Sequence, residues 1–175
     1  AVKDEKGRLL CGLGISPFLP PTEKQELFLE IARNVDIMSV DVAEFYKRQD
    51  IEGVINIMKF LKKNEIDTKF VLGNLGTYDG AADILTNPYL SETDQFVGIK
   101  VGMGSGSICT TTVQTGVGAP TFFATAQVAD AIKEHNPKIS LIADGGFKYP
   151  GDLTKAFAVG ADMIMTGHFF AGCTE

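Results

Sequence analysis

The stretch Val97-Gly98-Ile99-Lys100-Val101-Gly102-Met103-Gly104-Ser105-Gly106-Ser107-Ile108-Cys109-Thr110-Thr111-Thr112 decides how the chain is read. Its first five residues alternate β-branched side chains and suit a largely buried strand. Hydrophobic periodicity then stops, and Gly102, Gly104 and Gly106 take alternate positions. Alternating glycines let backbone N–H groups turn inward and approach a ligand closely, which makes a nest suited to an anion. Ser107 adds a hydroxyl donor, and Cys109 is the one strongly nucleophilic residue nearby. Thr110, Thr111 and Thr112 supply hydroxyls to hold a water or a leaving group. A phosphate cradle beside a thiol points to covalent chemistry on a phosphorylated small molecule. The loop matches neither standard phosphate motif: no Gly-Lys-Ser/Thr follows, and no G-x-G-x-x-G opens a helix. A lone cysteine is more often a small buried hydrophobe, so the rest of the chain has to decide.

Working outward, strand-like and helix-like patterns alternate in both directions. Towards the N-terminus, a strand over 68–72 ends at Gly73-Asn74, and one over 35–40 ends at Asp41. Between them, Ile51, Val54, Ile55, Met58 and Leu61 predict a helix over 51–64. A strand over 8–14 is stopped by Ser16-Pro17 and Pro20-Pro21, and Thr22 is expected to cap a helix over 23–33. A short helix over 78–86 ends before Pro88. Towards the C-terminus, a helix over 120–134 leads to a strand over 139–143 ending at Asp144-Gly145-Gly146. A helix over 150–158 leads to a last strand over 162–165, ending at Gly167-His168. Six β-then-α units in series predict a parallel sheet with helical crossovers.

The polar residues follow the C-terminal ends of these strands: Ser16, Asp41, Asn74, the glycine loop, Asp144-Gly145-Gly146 and Gly167-His168. That edge is where parallel α/β folds bind ligands. Taken singly they read as caps and turns; together they bring a carboxylate, an amide, a thiol and glycine turns to one rim. An eight-stranded barrel takes about 250 residues, and this chain has 175. The expected fold is therefore most of a TIM (β/α)8 barrel, as a single unit over 1–175, rather than an open sheet.

Composition narrows the partners. The formal net charge is −6 with no basic cluster, which argues against nucleic acid. Cys11, Cys109 and Cys173 lie far apart, and there are only two histidines. That matches neither a disulfide scaffold nor a zinc site and suggests a reducing, cytoplasmic setting. No apolar run approaches the roughly 18 residues of a membrane span, and residues 1–6 resemble no signal peptide.

Residues 101–111 resemble the active-site loop of the IMP dehydrogenase and GMP reductase family. Ile142-Ala143-Asp144-Gly145-Gly146 resembles its second signature, and Gly73-Asn74 with Thr77 its Gly-Asn turn. Residues 155–162 and Ala171-Gly172 continue the likeness, and residues 3–10 resemble the entry to the third barrel strand of the dehydrogenase. The resemblance implies that the chain holds strands three to eight of the barrel, without the first two strands and without the mobile C-terminal flap. It implies that Cys109 attacks C2 of a purine nucleoside monophosphate, that Thr111 assists at the leaving group or water, and that hydride passes between C2 and NAD, or NADPH in the reductase. Ser107, Gly145, Gly146 and Gly167, with His168 beside them, would bind the 5′-phosphate. Asp144 would take the ribose hydroxyls, Asn74 would sit near the base and Asp41 near the nicotinamide. Backbone carbonyls of Gly104, Gly106 and Cys109 would form a K+ site, and the family likeness implies a homotetramer.

The chain departs from the family at several points. His168 stands where Ser or Gly is usual, Glu44-Phe45-Tyr46 follows Asp41-Val42-Ala43 where His-Gly or Asn-Gly is usual, and Thr121 replaces Gln after Pro120. The flap carries the water-activating Arg-Tyr of dehydrogenases and the catalytic Glu of reductases, so its absence implies poor turnover. The reading ranks IMP dehydrogenase ahead of GMP reductase, and both ahead of a non-catalytic purine-nucleotide-binding protein. A phosphosugar isomerase or aldolase on the same fold would need a lysine at a strand end. Lys100 is read as mid-strand and Lys148 as lying beyond the Asp-Gly-Gly turn, which ranks that class last.

Overall fold

In a computed structural model of the chain, residues 3–106 and 109–174 are described, with His168 described by its backbone only. Six strands form one parallel sheet: β1 (Gly12–Ile15), β2 (Ile37–Asp41), β3 (Lys69–Leu75), β4 (Phe96–Val101), β5 (Ser140–Asp144) and β6 (Met163–Met165). Their order in the sheet is their order in the chain. A doubly wound sheet reverses strand order at its switch point. An order that never reverses, with right-handed crossovers, keeps the helices on one side and curls the sheet into an arc. The fold is a partial TIM barrel. The main crossover helices are α1 (Gln25–Asn34), α2 (Arg48–Lys63), α3 (Tyr78–Leu85), α5 (Thr121–His135) and α6 (Pro150–Ala158). A further one-turn helix, α4 (Thr111–Thr115), lies between β4 and α5.

Strand alternation sets the two faces of the sheet. Met38 and Val40 pair with Phe70 and Leu72, Leu72 with Ile99, and Ile99 and Val101 with Leu141 and Ala143. All of these are buried on the helix-covered face. On the other face, Ile37 and Ser39 are half-buried and Asp41 is exposed, while Met163 and Met165 remain 48% and 41% exposed. Six strands close only part of a barrel's circumference, so this concave face stays open towards the β6 edge.

All six expected strands are present, five of them followed by an α-helix and β6 by a 3-10 turn, with local corrections. β1 begins at Gly12, not at residue 8; Leu9 and Leu10 are exposed. The Asp4 carboxylate accepts the N–H groups of Lys6 and Arg8 at 2.9 and 2.8 Å and the Arg8 guanidinium at 2.7 Å. This local turn, closed by a Lys3–Leu9 antiparallel bridge, takes the segment out of the sheet. Thr22 does not cap α1. Pro21 leads into a 3-10 turn, Thr22–Lys24, with no side-chain cap, and the α-helix starts at Gln25. α2 starts three residues before the predicted 51, at Arg48. α3 begins as its cap dictates: the Thr77 hydroxyl accepts the Gly80 N–H at 3.2 Å.

Candidate active site at the C-terminal rim

Four adjacent strands each bring one polar side chain to the rim. Asp41 and Asp144 are the last residues of β2 and β5, and Lys100 and Asn74 the penultimate residues of β4 and β3. The Lys100 ammonium, almost wholly buried, donates to Asp41 Oδ1 at 2.7 Å and to Asp144 Oδ2 at 2.8 Å. Asn74 Nδ2 donates to the same Asp144 oxygen at 3.1 Å and to the Gly102 carbonyl. Alternation alone would turn Asn74 towards the helices. The β3–β4 register, however, runs from Gly73↔Lys100 to Leu75↔Val101, leaving Asn74 as an extra residue. A bulge of this kind re-aims a side chain at a sheet rim. The Asn74 backbone is held by bonds from its N–H to Val42 O (2.7 Å) and from Phe45 N–H to its own carbonyl (2.9 Å). Its Oδ1 is buried with no partner among the described residues. An acceptor in that state is costly unless a ligand donates to it.

The glycine loop is packed by contacts that exclude side chains. Gly102 sits at φ +139°, and a Cβ there would come within 2.1 Å of the Asp144 carbonyl oxygen. A Cβ on Gly104 would fall 1.5 Å from Thr112 Oγ1. The Thr112 hydroxyl donates to Met103 O at 3.3 Å, and the Ser105 hydroxyl to Asp144 O at 2.9 Å. The loop after β4 and the turn after β5 are thus bound to each other. Thr112, read from sequence as a chemical hydroxyl, holds the loop together instead.

Cys109 is exposed, and its thiol lies 3.4 Å from Thr111 Oγ1 at the start of α4. The Thr111 hydroxyl and backbone, with help from the Gly104 backbone, hold the thiol below its ordinary range; burial and the Asp144 charge oppose them. An accessible thiol shifted this way is more reactive than a buried packing cysteine.

The remaining sequence-predicted residues are placed unevenly. Gly145 and Gly146 form a left-handed turn. The Gly145 N–H donates to Met165 O at 3.1 Å and is already spent on the strand ladder. Gly167 opens the 3-10 turn His168–Phe170 and accepts the Phe170 N–H at 3.1 Å. Ser107 and the His168 side chain lie outside the described residues. The Gly106 carbonyl accepts the Cys109 N–H at 3.1 Å. Carbonyls of Gly104, Gly106 and Cys109 are oxygen donors of the kind a monovalent cation takes. Among the described residues, no group of three His, Cys, Asp or Glu side chains converges for a metal.

A cleft of about 460 Å³ opens beside Thr111, lined by Ser16, Phe18, Val42, Ala43, Glu44 and Thr111 among others. Glu44 thus faces a cavity at the rim, whereas Phe45 is fully buried in the core and leaves the cleft free. Asp41 does not line this cleft. A larger cavity, about 550 Å³, lies between α5, α6 and the start of β5 and contains none of the rim residues.

Lys100 is the residue that sequence reasoning missed. Taken as mid-strand, its position seemed to keep the amine from the rim, yet its length carries Nζ to both carboxylates. A signal was available: lysine is almost never fully buried unless paired, and Asp41 and Asp144 stood at neighbouring strand ends. Both of its ion pairs occupy the amine, which suits it to holding carboxylates rather than to attacking a carbonyl.

A parallel β/α half-barrel carries an exposed thiol of lowered pKa, a glycine turn and a Lys-bridged carboxylate pair on its C-terminal rim, which makes it a β/α-barrel protein with a polar rim. The whole chain, residues 1–175, matches the family described as IMP dehydrogenase / GMP reductase domain, and the chain belongs to that family. It is 39% identical over 175 residues to inosine-5′-monophosphate dehydrogenase of Korarchaeum cryptofilum, covering 100% of this chain and 33% of the relative. It is 41% identical over 175 residues to that of Rhodopirellula baltica, covering 100% of this chain and 30% of the relative. Among solved structures it resembles a Cys-to-Ala variant of GMP reductase from Trypanosoma brucei in complex with guanosine 5′-monophosphate. The TM-score is 0.77 at 26% identity, over 97% of this chain and 33% of that one. The chain thus spans about a third of the length of these relatives. Both named activities of the family are oxidoreductase activities. Among the described residues, no helix is long and apolar enough to cross a membrane.

Proposed function

We propose that this chain carries the catalytic rim of a purine-nucleotide oxidoreductase that oxidises IMP to XMP. The observation that carries the reading is the accessible, acidified Cys109 thiol beside Thr111, on a loop bound to the Asp144-Gly145-Gly146 turn. Cys109 Sγ adds to C2 of the purine, the C2–H leaves as hydride, and water then displaces the sulfur to give XMP and the free thiol. NAD, when bound, accepts that hydride. What supports a cofactor there is the cleft walled by Val42, Ala43 and Glu44, which opens on Thr111, next to the thiol. Thr111 orients the water at C2. Asp144 accepts from the ribose hydroxyls, since a carboxylate with a free oxygen suits a diol. Gly146, Gly167, His168 and Ser107 hold the 5′-phosphate, with Gly145 shaping the turn. Asn74 Oδ1 takes a donor from the bound nucleotide. Asp41, the residue before Val42 of that cleft, is assigned to the cofactor side. Carbonyls of Gly104, Gly106 and Cys109 would contribute to a K+ site in the parent protein. A homotetramer is the assembly we expect for the parent protein.

The likeness to a GMP reductase fold supports a second reading. There, Cys109 would add to C2 of GMP and expel ammonia, and the sulfur would then leave C2 as the free thiol to give IMP; NADPH, when bound, would supply the hydride that takes its place. The Cys109 assignment is common to both readings.

Mass spectrometry of the chain with IMP and NAD+, and separately with GMP and NADPH, tests the proposal alongside nicotinamide absorbance. A nucleotide adduct on Cys109, absent in Cys109→Ala, is the expected result, and the reagent pair that yields it assigns the direction. Reversible nucleotide binding with no adduct in either mixture would assign the rim to binding alone.

A further inference from the structure

The buried Lys100 is unused by the chemistry above, yet it joins the two carboxylates assigned to substrate and cofactor. We propose that Lys100 is a positioning residue that sets the Asp144 carboxylate for a ribose cis-diol, and so makes the rim selective for ribonucleotides over 2′-deoxyribonucleotides. The inference rests on the nucleotide reading of the rim.

The geometry is specific. Asp144 Oδ2 receives two donors, Lys100 Nζ at 2.8 Å and Asn74 Nδ2 at 3.1 Å. Two donors on one oxygen fix the rotation of the carboxyl group and leave Oδ1, which has no hydrogen bond among the described residues, as its free acceptor. The ammonium is in turn anchored at 2.7 Å by Asp41. The stem of Lys100 packs against the Gly73 backbone, where a Cβ would come within 2.7 Å of Lys100 Cβ. Glycine at 73 lets the lysine stem lie flat along β3 and deliver its amine to the rim. The charges facing Lys100 are the two aspartates; without it, two carboxylates would share the rim with no cation between them, and Asp144 would turn to water. A diol bound by a misdirected carboxylate loses its second hydrogen bond, which is the bond a 2′-deoxy sugar never makes.

The test is titration calorimetry of the chain with IMP and with 2′-deoxy-IMP, in wild type, Lys100→Met and Lys100→Gln. We expect wild type to favour the ribonucleotide by about tenfold or more, the scale of one hydrogen bond to a charged group. Lys100→Met should lose most of that preference while still binding both nucleotides through the phosphate turn. Lys100→Gln, which keeps one donor and is the readout should Lys100→Met fail to fold, should retain part of it. An unchanged preference in either variant overturns the proposal. So does an equal loss of affinity for both nucleotides, because that is what a merely structural lysine would produce. Wild type that binds neither nucleotide overturns the nucleotide reading itself; wild type that binds both equally overturns only the role of Asp144 and Lys100.

Discussion

The two faces of the sheet use the same strands for opposite purposes. In β2, Met38 and Val40 are fully buried under helices, while Ile37, Ser39 and Asp41, one residue out of phase, run up an open concave face to the rim. In β4, Ile99 and Val101 belong to the core and Lys100 between them belongs to the site. A period of two separates stability from chemistry within a single strand, so the rim can change residues without disturbing the helix-covered core. Exposed rim residues such as Asp41 and Cys109 can then change at little cost in folding energy, while the helix-covered face is held by side chains buried away from the rim.

Substitutions graded across this divide test it. Phe70→Ala, on the helix-covered face, removes a fully buried ring. It should cost about 3–5 kcal/mol, read from the urea midpoint at unchanged slope. A loss under about 1 kcal/mol would show that this face is not the principal core. Thr77→Ala removes the α3 cap and should cost about 1 kcal/mol in the same assay. On the concave face, Met165→Ala should cost less than about 1 kcal/mol, because the side chain is already 41% exposed. A larger cost would mean that the open face is covered in solution. Cys109→Ala, at an exposed position, should leave stability within about 0.5 kcal/mol while eliminating the nucleotide adduct.

The smallest expected effect is also the most local. The Thr111 hydroxyl is the main influence lowering the Cys109 pKa. Iodoacetamide alkylation of Cys109 should therefore rise with pH and level off below the usual thiol midpoint of about 8.5. In the wild type the hydroxyl stabilises the thiolate, so Thr111→Val should move the midpoint up and slow alkylation at neutral pH. Asp144→Asn removes an opposing charge and should move it slightly down. A Thr111→Val profile that overlays the wild type would remove Thr111 as the activating group.

Much of this was readable in the residues. Hydrophobic periodicity located all six strands and the five main crossover helices, and the position of Asp41, Asn74, the Cys109 loop and Asp144 at or just after strand ends pointed to one rim, because strand ends in a parallel sheet share an edge. Errors arose where local hydrogen bonding competes with the sheet. Asp4 and Arg8 tie residues 3–9 into their own turn, so an apolar run that reads as strand does not pair until Gly12. At Thr22, the preceding Pro21 admits a 3-10 turn that needs no side-chain cap. Thr112 looked like chemistry and proved to be packing, since only the folded loop shows its hydroxyl against Met103.

The sequence by itself determined the repeating βα pattern, the edge at which polar residues gather, and the cysteine loop with its Asp-Gly-Gly partner, because these depend on local periodicity and spacing. Only the tertiary structure decided that Asn74 turns into the rim, since a one-residue bulge against β4 reverses the side that alternation would assign. It alone decided that Lys100 belongs to the site, since its two partners lie 59 and 44 residues away along the chain. A charge buried inside a strand is stabilised only by what the fold brings beside it.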